Sequence, residues 1–107
     1  MEKKEFSTKK KVYLSGAISS IPYEEAKKKF DKTEGDLTAW GFEVVNPMKA
    51  VPYKEGRTWL GYMVRAIAQL IRCDAIYMLP NWKQSRGAKI ERRIAKILGL
   101  LVFHVNN

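Results

Sequence analysis

The segment "DAIYMLP", residues 74–80, determines the fold class that the sequence predicts. After Asp74 it runs through consecutive apolar side chains and stops at Pro80. A half-exposed strand alternates apolar and polar residues, whereas an unbroken apolar run is typical of a strand covered on both faces. The segment therefore predicts an inner strand of a sheet with helices on both sides.

Further strands and helices are predicted on either side of this segment. Strands are predicted at 11–18, 42–47 and 100–105. Helices are predicted at 23–41, 58–73 and 86–98, with a loop that contains Pro and Gly at 48–57. Strands separated by helices of this length run parallel, with right-handed crossovers. The order predicts an α/β fold, namely a small Rossmann-like or flavodoxin-like three-layer sandwich with a parallel sheet of four to five strands.

The buried face of each helix is predicted from apolar residues at intervals of three or four. In the first helix these are Ala26, Phe30, Leu37 and Trp40, with Gly41 as the stop signal. In the second they are Leu60, Met63, Val64, Ile67, Leu70 and Ile71. In the third they are Ile90, Ile94, Ile97 and Leu98, which places Glu91 at the edge of the apolar face.

Length and composition indicate a single domain. The chain has 107 residues, of which 46% are apolar, enough for one core. We predict a basic flexible tail at 1–10 and a domain at 11–107. No stretch reaches the roughly 20 apolar residues that cross a bilayer, and the first residues lack the apolar segment of a secretory signal. We expect a cytoplasmic protein with no membrane partner.

With a single cysteine, Cys73, the chain cannot form a disulfide framework. With only this cysteine and one histidine, His104, it has too few of the usual ligands for a zinc site. We expect no metal and no organic cofactor. The net charge of +9 has two interpretations. It fits a soluble surface plus a basic tail, or attraction for an anionic ligand such as a nucleotide or a polymer. Nucleic acid is the less favoured partner, because the sequence has no recognised DNA- or RNA-binding motif.

The predicted topology also predicts where a ligand binds. In open parallel sheets, ligands bind beyond the carboxyl ends of the strands. Small, polar or turn-forming residues stand at these ends: Ser15, Gly16, Ala17 and Ile18; Asn46 and Pro47; and 80–87. We expect the functional site there.

The third helix carries a lone acid, Glu91, in its second turn. Ser85 is a natural N-cap, and Gly87 allows a ligand to approach the helix backbone closely. Free N–H groups at such a helix start suit a phosphate or a sugar hydroxyl. The alternative is that Glu91 is only a surface charge and that Gly87 only packs the helix against a strand. The spacing leaves both interpretations open.

The segments "KVYLSGAI", "GFEVVNP", "CDAIYML" and "SRGAKIERRIAKILGL" resemble a bacterial and phage family of small proteins of unknown function. That family is allied to the nucleoside 2-deoxyribosyltransferases. The pattern S-x-G-x-x-x-E-x-x-x-A is also similar to that of the deoxynucleoside 5′-monophosphate N-glycosidases. The resemblance covers roughly residues 11–105.

The resemblance implies a role for several residues. Glu91 matches a nucleophile that attacks the anomeric carbon of a deoxyribosyl group. Tyr13 matches a residue that contacts this carboxylate, and Ser85 and Gly87 match positions that hold the sugar or its 5′-phosphate. Gly16 and the turn after it match the loop around the nucleotide. Apart from the resemblance, Trp82 and Trp59 are candidate stacking surfaces for a base.

One position departs from the family pattern. The active relatives carry an aspartate eight residues before the position of Asp74, where this chain has Ala66. An alanine cannot hydrogen-bond a hydroxyl or donate a proton. Three hypotheses therefore stand: an N-glycosidase or deoxyribosyltransferase acting through Glu91, a binding module for a nucleotide-like ligand, and a nucleic-acid binder. The relatives also imply a homodimer or a higher homo-oligomer.

Overall fold

Four strands and four α-helices make up residues 10–104, which are the residues that the computed structural model describes. The strands are β1 (Lys11–Ser15), β2 (Glu43–Val45), β3 (Ala75–Met78) and β4 (Leu101–His104). The helices are α1 (Tyr23–Ala39), α2 (Pro47–Ala50), α3 (Trp59–Leu70) and α4 (Arg86–Ile97). A 3₁₀ helix at Trp82–Gln84 precedes α4.

The strands form one parallel sheet in the order β2-β1-β3-β4. Tyr13 of β1 is in register with Val45 of β2 on one side and with Ile76 of β3 on the other. The predicted α/β sandwich with a parallel sheet is thus confirmed, with four strands. In this order the connections leave β1 and β3 in opposite directions, which makes the carboxyl ends of these two strands the switch point where ligands bind in such sheets.

Side chains of β1 alternate between the two layers of helices. Val12 and Leu14 pack in one buried cluster with Ala26 and Phe30 of α1. Tyr13 packs in the other, which contains Ala66 and Leu70 of α3 and Ala88 and Ala95 of α4. Because successive residues of a strand point to opposite faces, residues 13 and 15 both face α3 and α4.

Polar side chains fix the start of several elements. The Asp74 carboxylate accepts a 2.8 Å hydrogen bond from the backbone N–H of Lys11, which ties the start of β3 to the start of β1. Thr58 caps α3, and Ser85 caps α4 by accepting a hydrogen bond from the N–H of Ala88 at 3.0 Å. The predicted N-cap role of Ser85 is confirmed.

Several sequence-based expectations about the helices are wrong. Trp40, predicted on the buried face of the first helix, is 74% exposed, because α1 ends at Ala39 and the chain then turns through Gly41 at φ +100°. The predicted loop at 48–57 begins inside a helix, since Asn46 caps α2 and Pro47 opens it. Leu60 and Val64 of α3, and Ile71 directly after it, are exposed, although their spacing predicts them on the buried face.

The basic tail predicted at 1–10 lies outside the described residues except for Lys10. Within residues 10–104, none of the helices has the length and apolar character required to cross a membrane.

Candidate functional site

A cavity of about 600 Å³ opens at the carboxyl end of β1. Its walls come from the end of β1 and the segment that follows it, from α2, and from the first turns of α3 and α4. This is the edge of the sheet at which the parallel topology predicts a ligand site.

Glu91 of α4 lies at the base of this cavity, with 6% of its surface exposed. The Tyr13 hydroxyl donates a hydrogen bond to Glu91 Oε2 at 2.7 Å, and the Ser15 hydroxyl donates one to Oε1 at 2.6 Å. Each carboxylate oxygen therefore has one hydroxyl donor from β1. These two hydrogen bonds fix the orientation of the carboxylate relative to the sheet.

Burial raises the pKa of Glu91 from its ordinary 4.5 to about 7, although the hydrogen bonds from Ser15 and Tyr13 act in the opposite direction. Burial, followed by the charge of Glu91, also raises the pKa of the Tyr13 phenol well above its ordinary value. Tyr13 therefore keeps its proton and remains a donor to the carboxylate. Near neutral pH, Glu91 is present in both its ionised and its protonated form.

The position of Glu91 on its helix differs from the prediction. The buried residues of α4 are Gly87, Ala88, Glu91 and Ala95. Glu91 thus lies in the middle of the buried face, not at its edge, and the interpretation as a surface charge is wrong. Ile97 and Leu98, predicted as buried, are 75% and 50% exposed. The small side chains of Gly87, Ala88 and Ala95 let α4 approach the sheet closely. This face of the helix therefore packs against the core, although the larger apolar side chains of Ile97 and Leu98 lie outside it.

Two glycines allow the close packing around the site. A Cβ at Gly16 would lie 2.9 Å from Leu79 Cβ, because the segment after β3 passes directly beside the end of β1. A Cβ at Gly87 would lie 3.0 Å from the Met63 sulfur, so this glycine lets α4 pack against α3. The packing role that the sequence left open for Gly87 is therefore present, and Gly87 also lines the cavity.

The cavity brings together most of the residues predicted for the site. Those that line it are Tyr13, Ser15, Gly16, Ile18, Ser85, Gly87, Glu91 and Trp59. Three predicted residues do not line it: Ala17, Asn46 and Trp82.

The three remaining residues have other contacts. Ala17 is fully buried and donates its backbone N–H to the side chain of Asn81. The Asn46 amide nitrogen donates to carboxylates of α1, and its oxygen caps α2. The Trp82 ring lies 5.5 Å from the His104 ring, with the Arg92 guanidinium 4.8 Å from its centre, which places it beside α4 and β4.

Comparison of the sequence with models of known protein families gives a match that covers most of the chain. Residues 10–104 match the sequence model of the family described as "Domain of unknown function (DUF4406)". The chain belongs to this family. The expected membership in a domain-of-unknown-function family is thus confirmed. No protein of curated function matches the DUF4406 chain.

Sequence reasoning singled out none of three cations of the DUF4406 cavity, namely Lys54, Arg57 and Arg86, although Arg86 lies within the predicted segment 80–87. Arg57 donates to the Pro52 carbonyl at 3.1 Å, and the Arg86 guanidinium lies 4.3 Å from the centre of the Trp59 ring. The signal was present, since two of these cations stand in the loop that leads into α3.

Ala66, at the position where the resemblance predicts an aspartate, is fully buried in the core of the DUF4406 domain and does not line the cavity. Tyr62, one turn earlier on α3, does line it and was also missed. An aromatic residue in an apolar helix gives no sequence signal that separates a core position from a site position. Within residues 10–104, no group of three or more His, Cys, Asp or Glu side chains is placed to hold a metal ion.

Proposed function

We propose that this DUF4406 protein binds a nucleoside or nucleotide with its sugar against Glu91. Glu91 then takes part in cleaving the N-glycosidic bond, and the deoxyribosyl group is passed to water or to another base. The observation that supports this most is the buried Glu91 carboxylate at the base of an open cavity, held by the hydroxyls of Tyr13 and Ser15. Burying a carboxylate is costly, and such perturbed groups concentrate at functional sites.

The proposed reaction has two steps. A Glu91 oxygen attacks the anomeric carbon, the bond from that carbon to the base nitrogen breaks, and the electron pair leaves with the base, which takes up a proton. In the second step water attacks the same carbon, releases the carboxylate and gives up a proton. If another base attacks in place of water, the result is transfer.

The cations at the cavity favour a phosphorylated ligand over a free nucleoside. Lys54, Arg57 and Arg86 line the same cavity as Glu91, and guanidinium groups bind phosphate in a bidentate manner. Trp59 is 38% exposed and lines the cavity, and the ring face that Arg86 does not cover offers an aromatic surface for a base.

The lining of the cavity supports a second candidate, a binding module without turnover. Among the described residues that line the cavity, Glu91 is the only carboxylic acid. General acid catalysis typically contributes about 10²–10⁴-fold to a rate, so a site with a nucleophile alone would react slowly or only bind its ligand.

Incubation with 2′-deoxynucleosides and their 5′-monophosphates, followed by chromatography of the released base, tests the first candidate. The matched variant is Glu91→Gln, which keeps the side-chain volume but removes the charge and replaces one acceptor oxygen with an NH2 donor. We expect base release by the wild-type protein and none by the variant. Equal release by both proteins would overturn the nucleophile role. Binding of monophosphates by calorimetry without any release would favour the binding module.

We further propose a cytoplasmic homodimer or higher homo-oligomer that does not bind nucleic acid. The exposed Leu60, Val64 and Ile71 lie along one side of α3 and support an interface. Acids one turn away on the same helix pair with several lysines of α1, for example Lys27 with Asp31 at 2.7 Å. This pairing reduces the basic field of α1 that a nucleic acid would require.

A further inference from the structure

Tyr62 presents a buried hydroxyl that makes no hydrogen bond to any described residue. Its ring packs partly against the core cluster that contains Tyr13 and Ala66, and its side chain lines the cavity together with Glu91. A buried hydroxyl without a partner is unfavourable, and such groups are rare in native proteins. The Tyr62 hydroxyl thus has no hydrogen-bond partner among residues 10–104, which favours a partner from a bound molecule.

The other buried tyrosine at Glu91 is a useful contrast. The Tyr13 hydroxyl is satisfied by Glu91 Oε2, and Ser15 takes the other carboxylate oxygen. Both hydroxyls from β1 are thus used to hold the carboxylate. Tyr62 belongs to α3, and no described residue uses its buried hydroxyl.

We propose that the Tyr62 hydroxyl is a ligand-binding group, which donates a hydrogen bond to an uncharged acceptor atom of the molecule seated against Glu91. This inference rests on the proposed function, since it assigns a contact within the same ligand site.

The local electrostatics determine which kind of atom Tyr62 contacts. Burial, and after it the charge of Glu91, raise the pKa of the Tyr62 phenol, so the hydroxyl stays protonated and can donate. The Arg57 cation acts on the pKa of this phenol in the opposite direction, but the charge of Glu91 has the larger effect, so a phosphate beside Tyr62 would be repelled. The acceptor is therefore an uncharged atom of the sugar or of the base, and the phosphate lies toward the cations.

The test combines the stability of the free protein with its affinity for ligand. Tyr62→Phe removes only the hydroxyl, and Tyr77→Phe is the matched control, because Tyr77 packs in the cluster on the α1 side of the sheet and does not line the cavity. The probes are 2′-deoxynucleoside 5′-monophosphates and 2-deoxyribose 5-phosphate. Thermal unfolding gives the Tm of each free protein, and calorimetry gives Kd.

We expect Tyr62→Phe to leave the Tm of the free protein unchanged or higher and to raise Kd for the monophosphates by about 3- to 10-fold. Tyr77→Phe is expected to leave Kd unchanged. If 2-deoxyribose 5-phosphate shows the same loss with Tyr62→Phe, the acceptor is on the sugar; if only the nucleotides show it, the acceptor is on the base.

A lower Tm of free Tyr62→Phe together with an unchanged Kd would overturn the inference, because the hydroxyl would then serve the fold. An unchanged Kd alone would overturn it as well. If no probe binds the wild-type protein, the proposed function is overturned, and a lowered Tm of free Tyr62→Phe would then separately overturn the Tyr62 inference.

Discussion

The Ser15 hydroxyl at the end of β1 donates a 2.6 Å hydrogen bond to Glu91 Oε1 in the second turn of α4. This contact joins the inner strand of the sheet to the helix that carries the candidate nucleophile. Together with the hydrogen bond from Tyr13, it stabilises the ionised form of Glu91 and so opposes the rise in pKa that burial causes.

The contribution of Glu91 to the stability of the protein should fall as pH rises from about 4.5 to about 7. In this window the unfolded chain releases the Glu91 proton while the folded protein still holds it, because burial raises the folded pKa. A shift of this size corresponds to roughly 3 kcal/mol. Urea unfolding should therefore show Glu91→Gln gaining on the wild-type protein by up to about 3 kcal/mol between pH 4.5 and pH 8. Glu55→Gln, at an exposed loop position, should show no such trend. A difference between Glu91→Gln and wild type that does not change with pH would contradict the prediction.

Ser15→Ala should raise the pKa of Glu91 above about 7, because the hydrogen bond from Ser15 lowers it in the native protein. At pH 8, where the carboxylate is charged, we expect a loss of about 1–3 kcal/mol in the free energy of unfolding. A carbon NMR titration of the Glu91 carboxyl group measures the pKa directly. Ser19→Ala is the control, since Ser19 is exposed in the same cavity. An unshifted titration in Ser15→Ala would show that the hydroxyl does not stabilise the charge.

Catalysis, where it occurs, should rise with pH through about 7. The attacking form of Glu91 is the ionised carboxylate, and burial places the pKa of that group at about 7. The rate of base release from a deoxynucleoside 5′-monophosphate, measured as kcat/KM between pH 5 and pH 9, should show this acid limb. In Ser15→Ala the limb should move to higher pH. A rate that falls over the same range would be inconsistent with Glu91 as nucleophile.

Gly16→Ala should destabilise the protein by about 1–3 kcal/mol. The new methyl would meet Leu79 Cβ at 2.9 Å, and Leu79 cannot move away easily because its backbone N–H bonds to the Ser15 carbonyl at 2.8 Å. Gly35→Ala is the matched control, since a methyl there enters open space on α1 and should stabilise the helix by up to about 1 kcal/mol. Opposite signs in urea unfolding are expected; the same sign for both variants would refute the packing argument.

Val64→Lys should convert the proposed homo-oligomer to a monomer. Val64 is 59% exposed on the side of α3 that also carries the exposed Leu60 and Ile71, and a charge in an apolar interface is strongly unfavourable. Size-exclusion chromatography with light scattering gives the mass of each protein. Trp40→Lys, at a 74% exposed site beyond α1, should leave the mass unchanged. A wild-type protein that is already monomeric would contradict the proposal.

The order of the main elements could be predicted because the inner strands are continuous apolar runs and the long helices are periodic. The four-residue α2 was missed, although Asn46 followed by Pro47 is a recognisable helix start. The depth of Glu91 was misjudged for a physical reason. The hydrophobicity of the isoleucines in α4 predicted that they form the centre of the buried face. In the structure the small residues Gly87, Ala88 and Ala95 form it, because they allow the helix to lie close to the sheet. Contacts of this kind depend on distances between elements, which a single sequence does not specify.

The two hydrogen bonds to Glu91 link positions that are 76 and 78 residues apart in the chain. During synthesis, β1, α1, β2 and β3 leave the ribosome before Glu91 does. Until then, the hydroxyls of Tyr13 and Ser15 have no carboxylate to bind. Contacts over such distances along the chain also form slowly during folding. The pocket is therefore incomplete until α4 has been synthesised and has packed against the sheet.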